Sequence, residues 1–203
     1  MKKVAVLLIV AGILTALYPV ANRIYFFHHQ AKILEDWEES MDMAPPSAFF
    51  GEEDRRDQEE GQEESFASVQ GKEPVAVLVI GKINLEIPVF MGASGENLRL
   101  GAGLLETGAF MGEKGNSVIT AHRSHSYGMQ FNRLNEVEPG DELYVKTRAG
   151  EYRYVVFAAQ IVEPAEISLL ESQGEARLLT LVTCHPLYSR DPPYRLVVQS
   201  RMQ

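Results

Sequence analysis

The chain has one cysteine, Cys184, and that residue has the strongest nucleophile it could offer. A single cysteine leaves no intramolecular disulfide and no multi-cysteine zinc site. The predicted strand Leu178–Cys184 alternates, with Thr180, Val182 and Cys184 on one face and Leu181 and Thr183 on the other. Cys184 is the last residue of that strand before His185-Pro186, so its thiol is expected at a loop mouth, accessible to a substrate. The competing reading is a small buried hydrophobe, the commoner fate of a lone cysteine.

A cysteine nucleophile needs a base or a cationic neighbour. His185 is adjacent in sequence, but neighbouring strand residues point to opposite sides. His28 and His29 follow an apolar N-terminal run. His122 and His125 remain, one ending a predicted strand and one in the loop after it. A tetrahedral intermediate also calls for an oxyanion donor. Arg123, Arg190 and Arg195 are available, and spacing alone does not choose among them, although Arg195 has the rigid support of the final strand.

The elements that would position these groups are mostly strands. After Pro74 the chain reads as short apolar runs cut by Gly, Pro and Asn. Strands are predicted over Val75–Ile80, Ile83–Phe90, Ser117–His122, Glu142–Thr147, Tyr152–Ile161, Leu178–Cys184 and Tyr194–Ser200. Brief helices are predicted at Glu96–Leu100, Gln130–Val137 and Glu166–Glu171, with a hairpin turn at Arg148–Glu151. Seven or eight short strands with small helices between them indicate a mainly β fold, a closed or nearly closed barrel. Gly112–Lys114 lacks phosphate-loop spacing, and no residue pattern calls for a metal or a cofactor.

Thr180-Leu181-Val182-Thr183-Cys184 matches the sortase pattern Thr-Leu-x-Thr-Cys. The resemblance to sortases extends over about Val75 to Met202. It takes in Ile83–Val89, the lead-in Gly115–Ile119, His122-Arg123-Ser124, Phe131–Leu134 and the terminal Arg195–Val198. It implies a closed eight-stranded β-barrel with Cys184 as thioester-forming nucleophile, His122 as proton donor and acceptor, and Arg195 steadying the oxyanion. Thr183, and Ala121 where Gly often precedes the histidine, are similar in position to residues lining the sorting-signal groove. His125, His185 and Arg190 match no catalytic position. The pattern from His122 to Leu134 and the brief Cys184-to-Arg195 loop look like the class D group. Glu35-Asp36-Trp37 only loosely echoes the Asp-Pro-aromatic lid of pilin-building members.

The reaction this implies is cleavage of a Leu-Pro-x-Thr-Gly-like signal after Thr, followed by transfer to a cell-wall amine such as a peptidoglycan precursor. Three alternatives share parts of this reading: a signal-specific cysteine hydrolase, a pilin polymerase, and a membrane-tethered binding barrel with an inert Cys184.

Charge divides the remaining sequence. Glu35–Glu73 holds fourteen acidic residues against three basic ones, whereas the chain from Pro74 on holds fourteen against twelve. The overall net charge of −9 therefore belongs mainly to the tail, and no basic patch points to nucleic acid. Val4–Ala21 is an uncharged apolar run long enough, at ~27 Å as a helix, to cross a bilayer. Tyr25–His29 suits an interfacial belt. Residues 1–30 are thus expected to be an uncleaved signal anchor with the N-terminus cytoplasmic and the barrel extracellular. Residues 31–73 are expected to be an acidic flexible linker opening with a short helix at Ala31–Glu39, with Ile33, Leu34 and Trp37 on one side. Residues 74–203 are expected to be the catalytic barrel.

Overall fold

The computed structural model describes residues 2–43 and 73–203. Eight strands form a closed barrel: β1 (Ala76–Ile80), β2 (Leu85–Met91), β3 (Ala102–Leu104), β4 (Gly115–Thr120), β5 (Glu142–Thr147), β6 (Gly150–Val162), β7 (Arg177–His185) and β8 (Tyr194–Met202). Their order is β1-β2-β3-β4-β7-β8-β6-β5, and β5 pairs back to β1. The expected eight-stranded barrel is what the chain forms. Closure leaves no open sheet edge to recruit another chain.

Alternation fills the interior. Leu78 and Ile80 of β1, Ile87 and Val89 of β2, Ile119 of β4, Leu143 and Val145 of β5, Leu179 and Leu181 of β7 and Val198 of β8 share one core. Each strand's intervening residues face outward, so a side chain's face follows from its parity relative to these. β4 runs parallel to β7, and β7 runs antiparallel to β8. The C-terminal ends of β4 and β7 and the start of β8 therefore lie at one end of the barrel.

Some boundaries differ from those expected. The strand predicted from Ile83 starts at Leu85, because Gly81–Ile83 is a single 3-10 turn ended by Asn84 at φ 51°. β3 is an additional three-residue strand, slotted between β2 and β4. A Cβ on Gly101, just before β3, would collide with the Pro88 carbonyl, so this close approach depends on glycine. A short helix, α2 (Gly95–Leu100), is capped by Ser94, whose hydroxyl accepts from the Asn97 amide at 3.2 Å.

The helix α1 (Lys2–Met43) precedes the barrel and is 42 residues long, or ~63 Å. Its apolar window has mean hydropathy 1.7, is 0% buried and is long enough to cross a membrane. Pro19 lies within it without ending it. Further along, Gln30 and Trp37 are buried and Ile33 and Leu34 half-buried, spaced as one helical face. α1 packs against β2. The division expected at residue 31 falls inside this helix, because the side carrying Ile33, Leu34 and Trp37 finds a partner in the barrel. The rest of the expected linker, 44–72, lies outside the described residues.

Candidate active site

Antiparallel pairing of β7 and β8 sets Cys184 directly opposite Arg195, with Thr183 opposite Leu196 and His185 opposite Tyr194. Leu181 and Leu196 point into the core, so Cys184 and Arg195 face outward together. The parallel β4–β7 ladder ends at Thr120↔Val182, and the Ala121 amide extends it by one bond to the Val182 carbonyl at 3.4 Å. Two residues beyond that pair on each strand are His122 and Cys184. Ala121 is a core residue, so alternation turns His122 outward, level with Cys184 on a strand ~4.8 Å away. The ends of β7 and β8, and the segment two residues past β4, thus bring His122, Cys184 and Arg195 to one face.

That face is roofed along most of its length and open at this end. Thr180, Val118, Val197 and Gln199 also point outward, yet each is at most 4% exposed. The β6–β7 connection crosses over them. Its Leu169 carbonyl accepts from Asn116 Nδ2 at 3.1 Å and from Gln199 Nε2 at 3.2 Å, and Thr180 Oγ1 donates to Asn116 Oδ1 at 2.8 Å. Past this cover, Thr120, Val182, Cys184 and Arg195 are half-buried and His122 is exposed. The uncovered stretch of this outward face, termed the groove, holds the half-buried Cys184.

Thr183 and Ala121 lie on the inward side. Thr183 is 2% exposed and Ala121 is 4% exposed, so neither side chain lines the groove in this conformation. Thr183 Oγ1 donates to the Ala121 carbonyl at 2.8 Å, a side-chain bond that continues the β4–β7 register beyond the backbone ladder. It ties together the residues immediately before His122 and Cys184.

A second tie follows on the same side. Arg123 Nη1 meets His185 Nδ1 at 2.7 Å, and Arg123 Nη2 donates to Asn135 Oδ1 at 2.7 Å. Burial, and then the Arg123 charge, hold the His185 pKa below the usual imidazole range. His185 is therefore neutral, accepts at Nδ1 and carries its proton on Nε2. Burial also lowers the Arg123 pKa. Arg123 and His185 point away from the groove as their immediate neighbours point into it. No local pattern signals this pair, since it depends on a bond between residues 62 positions apart.

The remaining candidates separate cleanly. Arg190 is exposed in the β7–β8 loop. The His125 ring lies 5.2 Å from that of Tyr188 and so bridges two loops. Arg195 Nη1 donates to the carbonyls of Pro192 at 3.0 Å and Tyr194 at 2.9 Å, and no described residue accepts from its Nη2 or Nε. One edge of its guanidinium is anchored and another remains for a ligand. Among the described residues, no group of three or more His, Cys, Asp or Glu side chains could hold a metal ion.

The chain resembles known proteins in sequence and in fold. Sortase D of Bacillus subtilis (strain 168) is 31% identical over 126 residues, 62% of each chain. Sortase A of Bacillus anthracis is 28% identical over 146 residues, 72% of this chain and 69% of that one. The structure of sortase C from Streptococcus pneumoniae matches with a TM-score of 0.70 at 25% identity, over 85% of this chain and 96% of that one. A sortase D5 transpeptidase from Clostridium perfringens has the same fold, with a TM-score of 0.67 at 20% identity over 87% and 99% of the two chains. The profile of the sortase domain matches residues 78–203, so that all eight strands but the first two residues of β1 fall within it, and the chain belongs to the sortase family.

Proposed function

We propose that this protein is a membrane-anchored cysteine transpeptidase acting on Leu-Pro-x-Thr-Gly-like sorting signals. The observation that carries the proposal is the cross-strand pair Cys184↔Arg195 at the open end of the groove, with His122 level on the adjoining strand. The Cys184 thiolate attacks the carbonyl carbon of the signal's Thr, and the carbonyl oxygen takes the negative charge. The free edge of the Arg195 guanidinium stabilises that oxyanion. His122 donates its proton to the departing amine as the C–N bond breaks, leaving a thioester on Cys184. An incoming amine then attacks the thioester, His122 removes its proton, and the thiolate leaves. Thr183 and Ala121 serve by fixing the register of the two strands rather than by touching substrate.

The apolar window of α1 supports a single-pass anchor. The N-terminus is assigned to the cytoplasm and the barrel to the outside, where sorting signals and wall amines such as a peptidoglycan precursor are found. The pilin-polymerase alternative is disfavoured by Asp36 and Trp37. They border a cleft with Glu73, Pro74 and Arg148 at the barrel end opposite Cys184, too distant to cover the groove.

Arg195→Lys tests the oxyanion role. Lysine keeps the charge, but one ammonium cannot hold the Pro192 and Tyr194 carbonyls and also face the oxyanion. A loss of roughly 2.7–4 kcal/mol of transition-state stabilisation is expected in kcat/KM. Near-normal kcat in this variant would show that charge alone matters at this position, or that another arginine stabilises the oxyanion.

Transfer is distinguished from hydrolysis by product analysis. Water at ~55 M outcompetes an amine unless the site favours the amine. With a Leu-Pro-x-Thr-Gly peptide and millimolar hydroxylamine, amine-capped product should form at the expense of free acid. Free acid as the sole product, whatever amine is offered, would make the protein a signal-specific protease.

A further inference from the structure

The path of α1 along the barrel sets which end of the barrel lies nearest its apolar part. Near its middle, Pro19, Val20, Arg23 and Phe27 line one side of a cleft whose other side is Ser126 and Tyr127, in the loop that follows His122. Towards its end, Ile33, Trp37 and Ser40 line a second cleft with Glu73, Pro74 and Arg148. Those last residues lie just before β1 and in the β5–β6 turn, at the end where Ala76 pairs with Thr147. From Arg23 to Trp37 is ~21 Å of helix. The seven residues of β2 span a similar ~23 Å. The helix therefore runs the height of the barrel, and its membrane-proximal part sits at the end that holds His122, Cys184 and Arg195.

The loops at that end have the side chains of a membrane interface. Tyr127 is 62% exposed and Tyr188 is 70% exposed, and neither is packed into the core. The Arg133 guanidinium lies 4.9 Å from the Tyr127 ring centroid, and that of Arg23 lies 5.5 Å from the Phe27 ring. Aromatic rings beside cationic groups at one level suit the boundary between acyl chains and phosphates. The His125–Tyr188 contact joins the second tyrosine to the same rim.

We propose that the catalytic end of the barrel rests on the bilayer, with Tyr127 and Tyr188 seated in the lipid headgroup layer beside the mouth of the groove. This rests on the reading of Val4–Ala21 as a membrane span. It makes the groove open at the level where a substrate still held by its own membrane tail presents its cleavage site. The thiol then meets signals close to the membrane surface in preference to soluble ones.

The chain's single tryptophan makes the test direct. Full-length protein is reconstituted in vesicles containing brominated phospholipids, and tryptophan quenching is compared with that in unbrominated vesicles. Trp37, at the far end, should be unquenched in the unaltered protein. Tyr127→Trp should add emission that shallow bromines quench, and Tyr188→Trp should do the same by an independent loop. Lys114→Trp, on the far-end connection before β4, should add emission that is not quenched. Leu14→Trp reports on the anchor itself. If Leu14→Trp is quenched while Tyr127→Trp and Tyr188→Trp behave like Lys114→Trp, the proposal is overturned and the anchor stands. If Leu14→Trp is not quenched, the anchor reading fails and takes the proposal with it.

Discussion

Cys184→Ala is expected to reduce cleavage of a sorting-signal peptide to the uncatalysed background while the barrel stays folded. Alanine has no electron pair to attack a carbonyl, and among the described residues no other group on the open face can form a thioester. The structural cost is small. Cys184 is half-buried at a strand end and its thiol makes no hydrogen bond among the described residues, so removing it orphans none of them. Stability should change by no more than about 0.5 kcal/mol, the usual scale for substitutions outside a packed core. Mass spectrometry supplies the complementary result: peptide trapped as a thioester on the unaltered protein, and none on the variant. Residual cleavage by Cys184→Ala, with its thermal melt unchanged, would refute the nucleophile assignment.

Local patterns carried much of this structure, and the exceptions share a cause. The alternation of Leu178–Cys184 put Cys184 on the face opposite Leu181 and Thr183, and its register with Arg195 followed once β8 was placed beside β7. β3 carries no local signal because Ala102-Gly103-Leu104 is too short to show a period, and only its pairing with β2 and β4 makes it a strand. Thr180 and Gln199 look like solvent-facing residues by parity, yet they are buried by a connection that arrives from elsewhere in the chain. The Arg123–His185 contact is likewise invisible to any local window. The helical face Ile33, Leu34, Trp37 was legible, but a partner for it was not, because the partner is the barrel wall.

The same division explains Thr183 and Ala121. Their proximity to the reactive pair in sequence suggests contact with substrate, but alternation gives consecutive residues opposite faces. The outward members of each pair, His122 and Cys184, meet the groove. The inward members, Ala121 and Thr183, meet each other at 2.8 Å. Arg123 and His185 repeat the arrangement one step further along. The outward dyad is thus braced before and after by inward bonds between the same two strands, which limits how far His122 can drift from Cys184. Such fixed geometry is what proton transfer at hydrogen-bond range demands.

His122→Ala should therefore lower kcat/KM by roughly 10²–10⁴-fold, the range for loss of a positioned acid–base group. The amide nitrogen is a poor leaving group unless it is protonated as the tetrahedral intermediate collapses, and among the described residues His122 is the histidine that alternation sets level with Cys184 on the outward face. A substrate with an ester in place of the scissile amide needs less help from an acid, because an alkoxide leaves more readily than an amide anion. The variant should consequently recover more of its rate on the ester than on the amide. His125→Ala should change the rate little, since that ring only bridges two loops through Tyr188. His185→Ala should act differently again. It deprives Arg123 of a partner in a partly buried site, so it should lower thermal stability, and any rate loss should be the same for ester and amide. A loss in His125→Ala or His185→Ala as large as that in His122→Ala, accompanied by the same selective recovery on the ester, would mean that the proton donor is not His122.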